Sequence, residues 1–161
     1  MEFNKSEKYD VFECFAQPAL VTAGDISDYN TMTIGWGALG TIWGKSACTV
    51  YVRLSRYTLE FIDKNEYFTV SFFDGCKKDL GYLGSHSGRD GDKVAQTALT
   101  PMEVPHGVSF KEAKKTLVVR KLYRQEMDLS AIPADDVGRY YSGADEGNVH
   151  VMFIGEVEGT V

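Results

Sequence analysis

Residues 19–53 read ALVTAGDISDYNTMTIGWGALGTIWGKSACTVYVR, and three apolar windows follow one another in this stretch with only turns between them. The windows are residues 19–23, 31–36 and 48–53, each rich in β-branched or aromatic side chains. Such windows, bounded by Gly, Asp or Asn, predict strands. Because parallel neighbours need crossovers of about a dozen residues or more, the close succession favours antiparallel pairing.

The same signal recurs further along the chain, at residues 67–73, 117–124 and 149–157, so that about six strands are predicted. Short helices are predicted over residues 58–64, over 93–99 behind an Asp92 N-cap, and over 133–141 with a proline near the first turn. None of these helices is long enough to act as a crossover between parallel strands in a regular series. The sequence therefore predicts a mainly β fold, an antiparallel β-barrel with peripheral helices.

Composition places the chain among ordinary globular proteins, with 161 residues, 43% of them hydrophobic and 25% charged. This length predicts a single domain, residues 1–161, able to bury its own core. The net charge of -6 would repel nucleic acid. With no secretory leader and no apolar run of roughly 20 residues, we expect no membrane contact and a cytoplasmic location. The three cysteines lie too far apart for a zinc site, and no metal is expected.

Glycines 35, 37 and 40 match the G-x-G-x-x-G pattern of dinucleotide-binding proteins. That pattern binds a pyrophosphate only if the last glycine opens a helix. Here the residues that follow read TIWGK, a β-prone stretch broken by another glycine. We therefore interpret these glycines as bends or bulges of a curved sheet.

Residues 53–58 read RLSRYT, where a predicted strand ends and a predicted helix begins. The guanidinium groups of Arg53 and Arg56 converge there with the hydroxyls of Ser55 and Thr58 and with the free N–H groups of a helix start. This is the donor set that a phosphate monoester requires. The alternative is a solvated turn in which Thr58 only caps the helix.

A second polar segment, residues 87–93, reads SGRDGDK and adds Arg89 and Lys93 on a glycine-rich loop. In an acidic chain, basic residues concentrated in two loops suggest a local anion site. A flexible, solvated loop is the alternative.

Residues 30–36 read NTMTIGW and have a different character, with small polar groups and an indole on one strand. Such a strand could support a flat aromatic ligand, because hydroxyl and N–H groups would meet its ring heteroatoms and an aromatic side chain would cover an apolar edge. Trp36 could equally be a core residue.

Several motifs together make the chain resemble the flavin reductase-like, FMN-binding split-barrel proteins. In chain order these motifs are PALVT at 18–22, N-x-MTI-x-W at 30–36, V-x-VR-x-SR-x-T at 50–58, F-x-VS at 68–71 and H-x-x-FIGEV at 150–157. The segment SGRD-x-DK at 87–93 is similar to the loop of the flavoredoxin branch. The resemblance extends from about Pro18 to Val157.

The resemblance implies a six-stranded antiparallel Greek-key split barrel that forms a homodimer with one FMN per subunit near the interface. It also implies roles for single residues. His150 matches a histidine near the flavin and the nicotinamide, and Lys93 matches the loop lysine of the flavoredoxin branch. The positions that match the strand holding the isoalloxazine ring are Asn30, Met32, Thr33, Ile34 and Trp36, and those that match the phosphate loop are Arg53, Ser55, Arg56 and Thr58.

Two activities are compatible with these matches. The first is an oxidoreductase of the flavin reductase type, in which NADH or NADPH gives hydride to the flavin and the electrons leave to a second acceptor. The second is a flavoredoxin-like FMN carrier that exchanges electrons with a protein partner and needs no nicotinamide site. The loop at residues 87–93 favours the carrier. A third alternative, from another functional class, is a β-barrel interaction domain that has lost its flavin.

Overall fold

Nine strands and three α-helices are formed by residues 14–161, the part of the chain that the computed structural model describes. The strands are β1 Ala19–Asp25, β2 Asp28–Ile34, β3 Gly37–Ile42, β4 Lys45–Arg53, β5 Tyr67–Phe72, β6 Pro101–Val104, β7 Gly107–Phe110, β8 Lys115–Glu126 and β9 His150–Thr160. The helices are α1 Tyr57–Lys64, α2 Lys77–Ser85 and α3 Ala134–Tyr140.

Seven of the strands form one antiparallel sheet in the order β2-β1-β5-β8-β9-β4-β3. The predicted antiparallel pairing is confirmed. The sheet has one strand more than the six predicted windows, because β3 forms from a glycine-containing segment of low strand propensity. The separate β6–β7 hairpin was also missed, and β2 ends at Ile34, so that Trp36 lies just beyond the strand in which it was predicted.

The inner face of the curved sheet forms the main core. Side chains from both ends of the strand order, such as Ile34 on β2 and Val50 on β4, belong to the same buried cluster, as they do in a barrel. Helix α1 adds Leu59, Phe61 and Ile62 to this cluster. The apolar side of α1 therefore packs into the barrel core, and the helix contacts β1, β2 and β4.

Helix α2 covers the opposite face of the β1–β2 hairpin. Its Leu80 and Leu83 pack in a second cluster with Leu20 of β1 and Phe110 of β7. The Thr33 hydroxyl donates to the Leu80 carbonyl oxygen at 2.5 Å, which ties β2 directly to the helix. This packing directs the C-terminal end of α2 toward the β4–α1 junction, where Arg56 bonds to Gly84.

The prediction of a helix over residues 93–99 is wrong, because the structure has only a short 3-10 turn there, Val94–Gln96. Asp92 still accepts a hydrogen bond from the Ala95 amide, as the predicted cap would. The turn ends because Thr97 is extended and the following amide, at Ala98, donates to Asp79 of α2. Tertiary bonds to α2 thus replace the continuation of the helix. The predicted helices over 58–64 and 133–141 correspond to α1 and α3.

No helix within residues 14–161 is long and apolar enough to span a bilayer.

Candidate functional site

A cleft lies where β2, the β4–α1 junction and the loop after α2 meet. Its cavity volume is about 90 Å³, below the roughly 300–1,000 Å³ that whole small-molecule sites occupy, so it has room for one small group of a larger ligand. The predicted site residues that line it are Asn30, Met32, Ser55, Arg56, Thr58 and Lys93. Four further residues line it, namely Tyr57, His86, Ser87 and Gly88.

Two cations reach the cleft and both bond to the C-terminal carbonyls of α2. Lys93 is only 7% exposed, and its Nζ donates to the carbonyls of Leu83 and His86, both at 2.9 Å. Arg56 donates through Nη1 to the carbonyl of Gly84 at 3.1 Å. These carbonyls lie at the negative end of the helix dipole, which stabilises positive charge there.

Burial lowers the pKa of Lys93 to about 8, with a smaller contribution from the positive charge of Arg56. The ammonium is still largely protonated at pH 7. A bound anion would raise this pKa, because an opposite charge nearby favours the protonated form. The protonated form of Lys93 is therefore destabilised by burial when no anion is bound, and a bound anion would stabilise it.

The loop after α2 approaches the side chains of β2 and α1 closely at Gly88. A Cβ on Gly88 would collide with the side-chain oxygen of Asn30 and would come within 3.1 Å of the Tyr57 ring. The Asn30 amide donates to the Thr58 hydroxyl at 2.7 Å. β2, α1 and the loop therefore meet at one wall of the cleft.

The loop itself is held in place. The Ser87 hydroxyl accepts from the Arg89 amide, and the Arg89 guanidinium donates to Glu60 at 2.6 Å and lies over the Tyr57 ring. These bonds argue against the flexible-loop alternative. Arg89 is committed to Glu60 and does not line the cleft.

The first turn of α1 borders the cleft. Arg56 is the N-cap, and its side chain makes no capping bond. Helix starts leave amide donors without intrahelical partners, and here Tyr57 and Thr58 both line the cleft. Thr58 was predicted either to hold phosphate or to cap the helix, and it lies inside the helix, where its hydroxyl accepts from Asn30.

Arg53 lies apart from the cleft lining, although the sequence grouped it with the phosphate loop. Its Nη1 donates to the Asn148 carbonyl at 2.8 Å and its Nη2 to the Tyr140 carbonyl at 3.0 Å. Asp145 lies 3.5 Å from the same guanidinium. The side chain thus fastens the segment between α3 and β9 to the end of β4.

His150 is directly opposite Arg53 in the β4–β9 register and belongs to an aromatic cluster. Its Nδ1 lies 2.8 Å from the Tyr141 hydroxyl, and its ring centroid is 4.6 Å from that of Trp36. Tyr140 contacts Trp36 edge to face, with ring centroids 5.1 Å apart. Burial and the nearby Arg53 charge lower the pKa of His150 to about 4, so the imidazole is neutral at pH 7.

Trp36 is 41% exposed, which fits a wall of a site better than the core position that was the alternative. Ile34 is buried in the barrel core, and the Thr33 hydroxyl is bonded to α2. These two residues could therefore contact a ligand mainly through their backbone. β2 is an edge strand of the sheet, and an edge strand leaves backbone donors and acceptors for such contacts.

Sequence reasoning missed Asn148, which connects the cleft to the aromatic cluster. Its side-chain oxygen accepts from the Ser55 amide and its side-chain nitrogen donates to the Ser55 hydroxyl, both at 3.0 Å. Its backbone oxygen accepts from Arg53. Ser55 and Asn148 are far apart in the sequence, and no local motif marks Asn148. Their pairing is therefore visible only in the folded structure.

A wider groove with a cavity volume of about 350 Å³ continues from the cleft past Gly88 and Lys93 toward the β1–β2 turn. Asp28 and Asp92 line this groove and would repel a phosphate. The smaller cleft combines two cations, hydroxyls and helix amides, and it fits a phosphate monoester on the chemistry of its donors.

Comparison with known proteins gives matches among solved structures, whereas no family model and no curated protein matches the chain. A flavoredoxin from Methanosarcina acetivorans is 21% identical with a TM-score of 0.67, and the match covers 100% of this chain and 74% of that one. An FMN-binding protein from Thermus thermophilus, with bound 1-cyclohex-2-enone, is 21% identical with a TM-score of 0.66, covering 100% and 79%.

A protein from Shewanella frigidimarina, described as of the flavin reductase type with a split barrel domain, has a TM-score of 0.69. It is 14% identical, and the match covers 99% of this chain and 79% of that one. The chain therefore has the split-barrel fold of flavoredoxins and flavin reductase-like proteins, and the predicted fold class is confirmed.

Proposed function

We propose that this protein binds FMN with its phosphate in the cleft between β2, α1 and the loop after α2, and that it transfers electrons through the flavin. The main support is that Arg56, Ser55 and Lys93, which come from two separate segments, line one cleft at the start of α1. The likeness in fold to an FMN-binding protein and to a flavoredoxin supports the same cofactor.

Within this proposal Arg56 and Lys93 neutralise the phosphate, and Ser55 and the first amides of α1 donate hydrogen bonds to it. The β2 backbone, from Asn30 onward, and the exposed face of Trp36 receive the ring. A bound flavin supplies the redox chemistry, accepting a hydride or electrons and passing them to a second acceptor. Arg53 keeps a supporting part, because its donors already serve the Asn148 and Tyr140 carbonyls.

His150 acts in this proposal as a neutral group. With its pKa lowered to about 4, the imidazole has no charge with which to balance a reduced flavin at pH 7. It can instead position a nicotinamide ring or the flavin edge by contact, beside Trp36. We therefore assign to His150 the role of orienting a bound ring.

The electron donor divides the proposal into two versions. In the first, NADH or NADPH donates hydride, as in a flavin reductase. In the second, a reduced protein partner donates electrons, as to a flavoredoxin. The sequence of residues 87–93, which is similar to the loop of the flavoredoxin branch, and the likeness to the flavoredoxin fold favour the second version as strongly as the flavin reductase likeness favours the first.

Spectra and kinetics of the purified protein test both versions. We expect a yellow protein, or uptake of one FMN per chain on incubation. Oxidation of NADH or NADPH at a steady rate would support the reductase, whereas rapid reduction by reduced ferredoxin alone would support the carrier. A colourless protein that takes up no FMN would contradict both.

The expected homodimer belongs to the same proposal, with the flavin near the subunit interface and a cytoplasmic location. Light scattering would then give twice the 17.9 kDa chain mass. A monomer that binds FMN fully would contradict the interface part of the proposal alone.

A further inference from the structure

The Asn148 side chain bonds to Ser55 at two points, and this pairing joins the entry of β9 to the cleft. The Ser55 amide donates to Oδ1 of Asn148, and Nδ2 of Asn148 donates to the Ser55 hydroxyl, each at 3.0 Å. The second hydrogen of Nδ2 is directed at the Asp145 carboxylate, 3.2 Å away.

The identity of the partners determines which way the Asn148 amide faces. A backbone amide can only donate and a carboxylate can only accept. The Ser55 amide therefore requires the side-chain oxygen of Asn148, and Asp145 requires its nitrogen. The Ser55 hydroxyl, which lies beside the nitrogen, must then accept from Asn148.

A serine hydroxyl has one hydrogen and two lone pairs. Because Asn148 occupies a lone pair of the Ser55 oxygen, the hydroxyl proton remains for another acceptor, and Ser55 lines the cleft beside Arg56. We infer that Asn148 is a positioning residue that makes Ser55 a dedicated hydrogen-bond donor to an anion in the cleft. Arg53 assists by donating to the Asn148 carbonyl at 2.8 Å.

This inference rests on the proposed function, because the anion it concerns is the FMN phosphate. Riboflavin has the same ring system without the phosphate, so the two flavins separate an effect on the anion from an effect on the ring. Asn148 and alanine are both uncharged, so Asn148→Ala changes the hydrogen bonds without changing the net charge at the cleft.

The experiment is a double-mutant cycle on dissociation constants, measured by flavin fluorescence with FMN and with riboflavin. We expect Asn148→Ala to weaken FMN binding about 3- to 10-fold, the effect of one net hydrogen bond, and to leave riboflavin binding within about twofold. In a Ser55→Ala background, Asn148→Ala should have no further effect on FMN. Asn65→Ala, which removes an amide at the far end of α1, is the matched control and should change neither constant.

Asn148→Asp tests whether the Ser55 hydroxyl proton points into the cleft. The carboxylate can accept from the Ser55 hydroxyl and draw its proton away from the cleft, so FMN binding should fall further than with Asn148→Ala. In the Ser55→Ala background only the added charge remains, and the loss should be smaller.

Three outcomes would overturn the inference while leaving FMN binding in place. They are an equal loss from Asn148→Ala with and without Ser55, an equal loss for FMN and riboflavin, and an unchanged FMN constant. Failure of the unaltered protein to bind FMN at all would instead overturn the proposed function, and the inference with it.

Discussion

Arg56 and Lys93 reach the cleft from different segments, and both bond to the last carbonyls of α2. A cation in this position is stabilised by the helix dipole but is still partly desolvated. An anion that enters the cleft meets two cations whose geometry is already set by backbone acceptors. The site is thus preorganised for an anion at the level of single side chains.

Replacing Arg56 with alanine should weaken FMN binding by about 1.5 to 3 kcal/mol, the contribution of a charge-assisted hydrogen bond. Riboflavin binding should change much less, because the effect acts on the phosphate. Fluorescence titration with both flavins measures the difference. Arg124→Ala, which removes a guanidinium bound to Asp63 on the surface, is the control. An FMN constant unchanged in the Arg56 variant would place the phosphate elsewhere.

The pKa of Lys93 predicts how FMN binding depends on pH. Its pKa is about 8 without an anion and rises when an anion binds, so affinity is nearly full at pH 7 and below and declines as the pH rises through 8. FMN titrations from pH 7 to about 9.5 should show this decline. Lys93→Met should bind more weakly at pH 7 and should lose the pH dependence in this range. A decline that persists in the variant would assign it to another group.

At the scale of elements, α2 positions the cleft. Its C-terminal carbonyls receive both cations, and its contact with β2 depends on small residues. A Cβ on Gly84 would lie 3.2 Å from the Thr33 Cβ, whereas a Cβ on Gly81 would meet no atom within 4 Å. The helix thus lies close to the strand on one side only.

These two glycines give a matched pair of substitutions. Gly81→Ala should raise the free energy of unfolding by about 0.5 to 1 kcal/mol, because alanine favours a helix interior more than glycine does. Gly84→Ala should not raise the free energy of unfolding in this way, because the added methyl group would force α2 away from β2. Urea unfolding of both variants measures the difference. Equal stabilisation of both would show that the α2–β2 contact is not tight.

At the scale of the whole molecule, the sheet brings Arg53, the last residue of β4, into register with His150, the first residue of β9. His150 is 8% exposed and bonded to Tyr141, and its pKa is held near 4 in the folded chain. The unfolded chain would bind this proton nearer the ordinary value of about 6.5. The folded state is therefore stabilised by the neutral form of His150.

The sign of this linkage predicts acid destabilisation. The contribution is complete above about pH 6.5 and is lost as the pH falls toward 4, because the unfolded state binds the proton first. Between pH 7 and 4.5 it amounts to about 2 to 3 kcal/mol in the free energy of unfolding. Urea unfolding at both pH values should show this loss in the unaltered protein beyond that of His150→Gln. Equal losses in both proteins would mean that carboxyl groups alone account for the acid sensitivity.

The sequence by itself determined the strand windows, the antiparallel arrangement and the junction at residues 53–58. Windows of β-branched and aromatic residues, short connections and helix-start chemistry are all local properties. It could not give the helix at 77–85, whose glycines lower its propensity. The helix predicted over residues 93–99 does not form, because a tertiary hydrogen bond to α2 outweighs the local helix preference.

Only the tertiary structure decided which donors meet in the cleft. Ser55 and Asn148 are 93 residues apart in the chain, and Lys93 is buried under carbonyls of α2. Every residue carries a carbonyl oxygen, so a sequence does not mark the one that a lysine or arginine will reach. The curvature of the sheet and the packing of α2 bring these groups together, and that is why Arg53 came to fasten a loop while Arg56 came to line the cleft.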